Sequence, residues 1–350
     1  MSENDSIVAE TAARIFADLA DPQTVNSARD GAWKGPLWQA LAESGLTLAW
    51  VPEENGGAGA GLADGFAILG MAGRYAVAVP LAETLLAGWL LSRAGLSAPE
   101  GAMSVAPARP GDRITLNSDG TLSGQARGVP FARDAEHIAV LAGSSVALVE
   151  TAACRLSDGT SLASEPSNTV TFDRAKPLAI AQAPAGFDQT TLMLMGCAVR
   201  SVQTAGALEA ILDMAVRYAN ERVAFEKPIG KFQAVQHNLA RLAGEVSAAM
   251  TAAYSAADAI ANASTFDDAI FLEATAAKIR TAEAAEEGAQ IAHQVFGALG
   301  FTQEHILHRY TLRMLSWRDD FGNESYWAAA LGNRIAARGA DEFWPLLASR

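Results

Sequence analysis

The chain has 350 residues, of which half are apolar, and a formal net charge of -13 at pH 7. This length and apolar content allow a sizeable core divided among two or three domains. The acidic balance argues against nucleic acid or an anionic membrane as the main partner, because both favour clustered Lys and Arg.

Cysteine content and the N-terminal residues bear on the compartment. Cys154 and Cys197 lie far apart in the sequence, which argues against a disulfide framework and favours a reducing compartment. The N-terminal residues are acidic and lack the apolar stretch of a signal peptide. No uncharged apolar run reaches the roughly 18 residues of a membrane span. We therefore predict a cytoplasmic protein with no membrane partner.

Residues 1–104 show helical periodicity, for example from Leu41 to Trp50 and from Leu81 to Leu91. Turn residues separate these segments. The Gly-rich run from Val51 to Gly61 lacks the Gly-Lys-Ser/Thr ending of a phosphate-binding loop. We predict that it connects two helices of an N-terminal helical domain.

Residues 105–187 change to short runs of Val, Ile, Leu and Thr that Gly, Pro, Asp and Asn interrupt. The Asp119-Gly120 pair between two such runs is typical of a hairpin turn. This region predicts a small antiparallel β domain.

Residues 188–350 return to helical periodicity. Ala dominates residues 269–292, and small side chains let helices approach closely in a bundle. An apolar stripe at helical spacing precedes them, formed by Phe232, Val235, Leu239, Leu242, Val246 and Met250. The order of regions predicts an α+β chain with domains at 1–104, 105–187 and 188–350.

The segment from Arg222 to Gln236 combines groups that suit an anionic cofactor. Arg222 offers a planar, permanently charged fork for phosphate oxygens. Phe225 and Phe232 supply aromatic surface, while the amide of Gln233 can donate and accept hydrogen bonds at an adenine or ribose edge. The alternative is that Arg222 pairs with a local carboxylate and that both Phe side chains belong to the core.

A second segment runs from Gln294 to Thr302. Gly297 can end the Ala-rich helix in a left-handed conformation. The stretch from Gly297 to Gly300 can then leave backbone N–H groups free to approach a phosphate or sugar. A structural C-cap is the alternative for this segment.

Together the two segments resemble the acyl-CoA dehydrogenase family. The family's first pattern is Arg-x-x-Phe-Gly-x-x-Ile-x-x-(Phe/His)-Gln, in which Glu226 replaces the Gly here. Its second pattern, further along, is Gln-(Ile/Val)-x-Gly-Gly-x-Gly-(Phe/Tyr), in which Ala298 replaces the second Gly. The resemblance implies an N-terminal helical domain, a middle antiparallel β domain and a C-terminal four-helix bundle. It also implies that this chain meets the ADP half of FAD across a subunit interface through Arg222, Phe225, Phe232, Gln233, Gln294, Gly297 and Gly300.

The resemblance breaks where the family holds the flavin ring. Family members carry a Thr-Glu-Pro-x-x-Gly-Ser-Asp-like segment at the start of the β domain, followed by a Trp-containing segment. This chain has Gly101 to Thr115 at that point, and its sequence has no Trp between Trp89 and Trp317. A ring-binding loop is therefore predicted to be missing.

The family's catalytic base is also missing from the sequence. In the gap-free register Phe321 occupies the position of the usual Glu, and Phe cannot accept a proton. Other members carry the base on the helix before the Arg motif, where this chain has Gly196. We predict no catalytic residue here. Asp319, Asp320 and Glu324 are the alternatives as relocated bases, unless they belong to a solvated or salt-bridged cluster with nearby Arg residues, namely Arg313 and Arg318.

A metal site is not predicted. His305 and His308 are spaced to share a helix face, but no Cys lies near them in the sequence to complete a tetrahedral set.

Three functional hypotheses remain at this stage. The first is one subunit of a heteromeric acyl-CoA dehydrogenase, resembling the smaller subunits of α2β2 enzymes of steroid side-chain degradation, which shares FAD with a homologous partner and acts on an acyl-CoA substrate. The second is a self-associating, self-sufficient acyl-CoA dehydrogenase that uses an Asp base. The third is a flavin-free structural partner.

Overall fold

The computed structural model describes residues 3–28 and 30–348, and its first region is helical. Gly45 has a φ of +70°, so the third helix ends before it and a short 3-10 turn follows. The helix predicted from Leu41 to Trp50 is therefore wrong beyond Glu43. The helices of this region are α1 (Glu3–Leu19), α2 (Pro22–Ser27), α3 (Lys34–Glu43), α4 (Leu62–Arg74) and α5 (Leu81–Arg93).

The middle region consists of two four-stranded sheets, with strand orders β1-β4-β5-β8 and β2-β3-β7-β6. The strands are β1 (Met103–Ala106), β2 (Arg113–Leu116), β3 (Leu122–Pro130), β4 (His137–Ala142), β5 (Ser145–Glu150), β6 (Arg155–Ser157), β7 (Ser167–Ala175) and β8 (Ala179–Gln182).

Strand pairing in these sheets is antiparallel except between β1 and β4, which run parallel. The chain leaves β1, builds the β2–β3 hairpin in the other sheet and returns as β4, and this long connection allows the parallel pairing. The Asp119-Gly120 turn joins β2 to β3 as predicted, with a φ of +80° at Gly120.

The last region is helical again and contains the two-residue strands β9 (Val223–Ala224) and β10 (Lys227–Pro228). Asp188 caps the first long helix, because its Oδ1 accepts a hydrogen bond from the Thr191 N–H at 3.1 Å. The helices are α6 (Gln189–Glu221), α7 (Gln233–Asn262), α8 (Asp268–Phe296), α9 (Leu307–Trp317), α10 (Glu324–Arg338) and α11 (Ala340–Ala348).

Helix α6 ties the regions together through small residues. A Cβ at Gly206 would lie 2.1 Å from the carbonyl oxygen of Gly70, and one at Gly73 would lie 2.0 Å from the carbonyl oxygen of Gln203. The backbones of α4 and α6 therefore touch, which only glycine allows at these positions. One apolar core runs from the N-terminal helices through the β sheets into α6.

The α+β architecture agrees with the predicted helical, β and helical order. α5 ends at Arg93 and β1 begins at Met103, while β8 ends at Gln182 and α6 begins at Gln189. The domain limits at 1–104, 105–187 and 188–350 stay predictions. Among the described residues, no helix combines the length and apolar character that crossing a membrane requires.

Candidate functional site

A tight hairpin presents the first predicted cofactor segment. Arg222 ends α6 by donating its backbone N–H to the Tyr218 carbonyl at 2.8 Å, and β9 then pairs with β10. Phe225 and Glu226 form the two-residue tip, with φ values of +52° and +67°. This turn explains why the family has Gly at the position of Glu226, because a left-handed backbone costs an ordinary side chain free energy.

The side chains of this segment point outward. The Phe225 side chain is 89% exposed, and its ring centroid lies 6.2 Å from that of Phe232 in an edge-on arrangement. Lys227 Nζ lies 4.4 Å from the Phe232 ring centroid. Arg222 and Gln233 are also exposed. A core position is therefore wrong for Phe225, and these groups form an open, cationic and aromatic surface.

The second predicted segment begins where α8 ends. Gly297 ends this helix with a φ of +60° and a ψ of -140°. The positive φ agrees with the prediction, but this ψ lies outside the left-handed helical region and in one that only Gly tolerates. A 3-10 turn follows from Gly297 to Phe301, in which Gly297 is exposed and Gly300 is buried, and Gln294 in the last turn of α8 is also exposed.

An aromatic stack brings the two segments together. Tyr218, one turn before Arg222, stacks on Phe296 with ring centroids 4.5 Å apart and an interplanar angle of 27°. Phe296 directly precedes Gly297, so both segments lie at one end of the helical bundle. Cofactor binding by Arg222, Phe225, Phe232, Gln233, Gln294, Gly297 and Gly300 stays a prediction.

His293, which the sequence analysis did not assign to the site, supports the Gly-rich turn. Its ring stacks on that of Phe301 with centroids 4.5 Å apart. The Thr311 hydroxyl donates to the Leu307 carbonyl, so His293 Nε2–H donates to Thr311 Oγ1 at 3.1 Å. Its Nδ1 is buried and has no hydrogen-bond partner in the described part of the chain. Burial lowers the pKa of His293, and the nearby His308 lowers it further.

Phe321 and Gly196, the two positions that the sequence register aligns with the family's base, face each other. Phe321 is fully buried, and a Cβ at Gly196 would lie 2.3 Å from Cγ of its ring. The ring therefore fills the space beside the glycine. Its backbone has a φ of +58°, which is rare for an aromatic residue. The sequence register that aligned both positions with the base is consistent with this contact.

The segment predicted to have lost the flavin-ring loop packs on the same turn. The Phe321 N–H donates to the Ala108 carbonyl at 3.0 Å, and a Cβ at Gly322 would lie 3.2 Å from Pro110 Cγ. Gln189 Nε2 donates to the Arg109 carbonyl at 3.2 Å and holds the segment against the start of α6. These contacts pack the segment directly against the turn and the start of α6.

A buried ion network lies next to Phe321. Arg200 Nε donates to Asp320 Oδ2 at 2.9 Å, while its other nitrogens donate to Glu83 Oε1 at 2.5 Å and to Gln203 Oε1 at 2.7 Å. Burial raises the pKa of Glu83, and the nearby charge of Arg200 partly offsets this rise. The fork of Arg200 thus holds the carboxylate of Asp320.

The acidic residues around this turn form only part of the solvated or salt-bridged cluster considered from the sequence, namely the Arg318–Glu324 ion pair and the exposed Asp319. Asp320 pairs with Arg200, as above, whereas Arg313 pairs with Glu165 at 2.6 Å. Arg318 pairs with Glu324 at 2.7 Å, and Asp319 is exposed. In the described residues no group of three or more His, Cys, Asp or Glu side chains is arranged to hold a metal ion.

Comparison with known proteins gives the family. The N-terminal domain model of acyl-CoA dehydrogenases matches residues 2–98, and the C-terminal domain model matches residues 185–342. Acyl-CoA dehydrogenase IpdE2 of Mycolicibacterium smegmatis is 28% identical over 322 residues, which cover 89% of this chain and 93% of that relative. Acyl-CoA dehydrogenase FadE34 of Mycobacterium tuberculosis is 32% identical over 85% of this chain, but only 41% of that longer relative is covered.

Solved structures share the fold. The ChsE4-ChsE5 complex of Mycobacterium tuberculosis superposes with a TM-score of 0.84 at 22% identity, covering 96% of this chain and 98% of that one. A variant of the Tcur3481-Tcur3483 steroid ACAD gives the same TM-score of 0.84 at 25% identity and the same coverages of 96% and 98%. With both domain models together matching well over half of its residues, the chain belongs to the acyl-CoA dehydrogenase family.

Proposed function

We propose that this chain is the smaller, non-catalytic subunit of a heteromeric, FAD-dependent acyl-CoA dehydrogenase. The enzyme would oxidise the α,β bond of an acyl-CoA thioester. This chain would complete the ADP-binding half of a FAD site whose ring-binding half and catalytic Glu belong to a homologous partner.

One observation carries the proposal, namely the packing of Phe321 against Gly196. Proton abstraction next to the thioester carbonyl needs a carboxylate within hydrogen-bond reach of that carbon. At the two positions that align with this carboxylate, the chain has Phe321 and Gly196, and neither carries an acidic group. The Phe321 ring fills the space beside Gly196. Asp320, the nearest acidic alternative, is held by Arg200.

The exposed hairpin supports a role for this chain in holding FAD. Arg222 and Gln233 keep the charge and the hydrogen-bonding groups that suit a pyrophosphate and an adenine. The exposed Phe225 ring lies beside that of Phe232, and the pair would supply aromatic surface for the cofactor. The ADP half of FAD therefore fits the residues present, whereas the sequence lacks the family's motif for holding the ring.

In this arrangement the two subunits would contribute different parts of the FAD site. Bound FAD accepts the hydride from the β carbon. In this chain Arg222 would bind the pyrophosphate, Gln233 would orient the adenine end, and the turn from Gly297 to Gly300 would approach the sugar with backbone groups. The base and the contacts to the flavin ring would come from the partner.

Partner and substrate class rest on the similar proteins. One solved structure is the ChsE4-ChsE5 complex and another is a steroid ACAD built from two named chains. By analogy we propose an α2β2 assembly of this chain with a homologous subunit, acting on a CoA ester of a steroid side chain. A self-sufficient enzyme and a flavin-free scaffold are the competing proposals.

Flavin absorbance tests the proposal. The chain should be expressed alone and together with the acyl-CoA dehydrogenase-like product of an adjacent gene. We expect a colourless, inactive protein alone, and a yellow complex that oxidises acyl-CoA when the two are combined. A yellow protein that oxidises acyl-CoA when purified alone would overturn the proposal in favour of the self-sufficient enzyme.

A further inference from the structure

His305 lies on the connection between the Gly-rich turn and α9, and its ring packs at the end of α8. The ring centroids of His305 and Phe296 are 4.4 Å apart. Phe296 also stacks on Tyr218, in the last turn of α6. The three rings thus connect this part of the chain to both predicted cofactor segments.

The hydrogen bond that His305 makes requires its neutral form. Leu307, the first residue of α9, donates its backbone N–H to His305 Nδ1 at 3.2 Å. A ring nitrogen accepts a hydrogen bond only when it carries no proton, so the neutral ring carries its proton on Nε2. Leu307 is fully buried. If Nδ1 took up a proton, the Leu307 N–H would therefore lose its acceptor in a place that water does not reach.

The titratable groups that face this ring also disfavour a second proton on it. They are His293 on α8 and His308 on α9, and both are bases. The His308 Nδ1–H donates to the His305 carbonyl at 2.7 Å, which fixes one imidazole beside the other. The neighbouring Glu304 is exposed. Burial lowers the pKa of His305, and His308 and His293 lower it further.

We propose that His305 is a pH-sensitive cap on α9. The neutral ring holds the connection between the Gly-rich turn and α9, and the protonated ring releases it. Because the folded-state pKa of His305 is lowered, the cap is fully present above the unfolded value near 6.5 and is lost as the pH falls through the folded value. The turn from Gly297 to Phe301 is also the one proposed to approach the FAD sugar. The cap would therefore make FAD retention fall in mild acid, and this consequence rests on the proposed function.

Hydrogen exchange of the Leu307 amide in the chain alone tests the cap, with each rate divided by the intrinsic rate at that pH. We expect the protection factor to fall by about tenfold or more between pH 7.5 and pH 5, because opening exposes this amide. His305→Asn should remove the pH dependence. The Asn side-chain oxygen can accept the same N–H two residues on, and it does not titrate in this range. Gln303→Ala, at an exposed position on the same connection, is the control and should keep the pH dependence.

NMR of the imidazole nitrogens in the unmodified chain gives a second test, with His305→Asn identifying the resonances. We expect the Nε2–H tautomer of His305 at pH 7.5, and the Nδ1–H tautomer would overturn the inference. Protection of Leu307 that does not change with pH would also overturn it. A pH response retained in His305→Asn would assign the opening to another group, such as His293, with the same consequence.

The consequence for FAD is measured in the complex with the homologous subunit. On acidification from pH 7.5 to pH 5, we expect the unmodified complex to release severalfold more FAD than the His305→Asn complex. Equal release would overturn the link between the cap and the cofactor. A complex that holds no FAD at pH 7.5 would instead contradict the proposed function, and the exchange of the Leu307 amide would still decide on the cap.

Discussion

The ring of Phe321 lies in the space that Gly196 leaves beside α6, where a Cβ would come within 2.3 Å of ring Cγ. Residues 125 positions apart in the sequence, which the sequence register aligns with the family's two alternative locations for the base, are thus in contact. An acyl thioester cannot occupy this place, because an aromatic side chain already fills it.

A substitution at residue 196 tests this contact. Gly196→Ala should destabilise the fold by about 1–3 kcal/mol through overpacking against Phe321. Gly244→Ala is the matched control, because Gly244 lies within helix α7 with nothing within 4 Å of its added Cβ, and it should stabilise by about 0.5–1 kcal/mol. Urea unfolding measures both. A neutral Gly196→Ala would contradict the packing, as would an equal loss in a Phe321→Ala background.

The two Asp residues next to Phe321 separate the proposed subunit from a self-sufficient enzyme. In the complex with the partner, Asp319→Ala should leave acyl-CoA turnover and stability unchanged, because Asp319 is exposed. Asp320→Ala should lower stability by about 1–3 kcal/mol, since the buried Arg200 loses the acceptor for its Nε–H. Turnover per folded complex should stay constant in both variants. A large loss of turnover in either, with FAD content retained, would point to an Asp base.

A glycine substitution at the hairpin tip should stabilise the protein. Glu226→Gly places a residue without a Cβ at a φ of +67°, and we expect a gain of about 1 kcal/mol in the free energy of unfolding. Glu221→Gly, at the last residue of α6, should instead destabilise by a comparable amount because Gly disfavours a helix. Thermal melts of both variants give the signs, and a destabilising Glu226→Gly would argue against the left-handed tip.

Acidification should weaken the Gly-rich turn. Burial lowers the pKa values of His293 and His305 below the ordinary 6.5. A His whose folded-state pKa is lowered resists protonation in the native state, so its contribution to stability is fully present above the unfolded pKa and is lost as pH falls through the folded pKa. Unfolding measured from pH 7.5 down to pH 5 should therefore show a loss that His293→Gln reduces. An unchanged slope in His293→Gln would refute this assignment.

Local patterns predicted much of the fold, and long-range contacts account for the rest. The Asp119-Gly120 turn and the Ala-rich helix could be predicted because neighbouring residues determine them. The parallel pairing of β1 with β4 could not, because it depends on a connection through the other sheet.

At the candidate site, too, local patterns could be predicted from the sequence and long-range contacts could not. Spacing located the segments that begin at Arg222 and Gln294. The Arg200 network with Glu83 and Asp320 joins residues 117 and 120 positions apart, and no local pattern marks such a pairing. His293 was missed for a similar reason, since its role depends on stacking with Phe301, although its place beside Gln294 was a usable signal.

The most direct test of the central claim is the FAD content of the purified two-subunit complex when this chain carries Arg222→Ala together with Gln233→Ala. We expect assembly to persist, as judged by gel filtration, while bound FAD falls severalfold, because the pyrophosphate and adenine contacts are lost. Lys231→Ala, an exposed cation outside the predicted cofactor residues, should leave FAD content unchanged as a control. Unchanged FAD content in the double variant would contradict the shared site and favour a flavin-free scaffold.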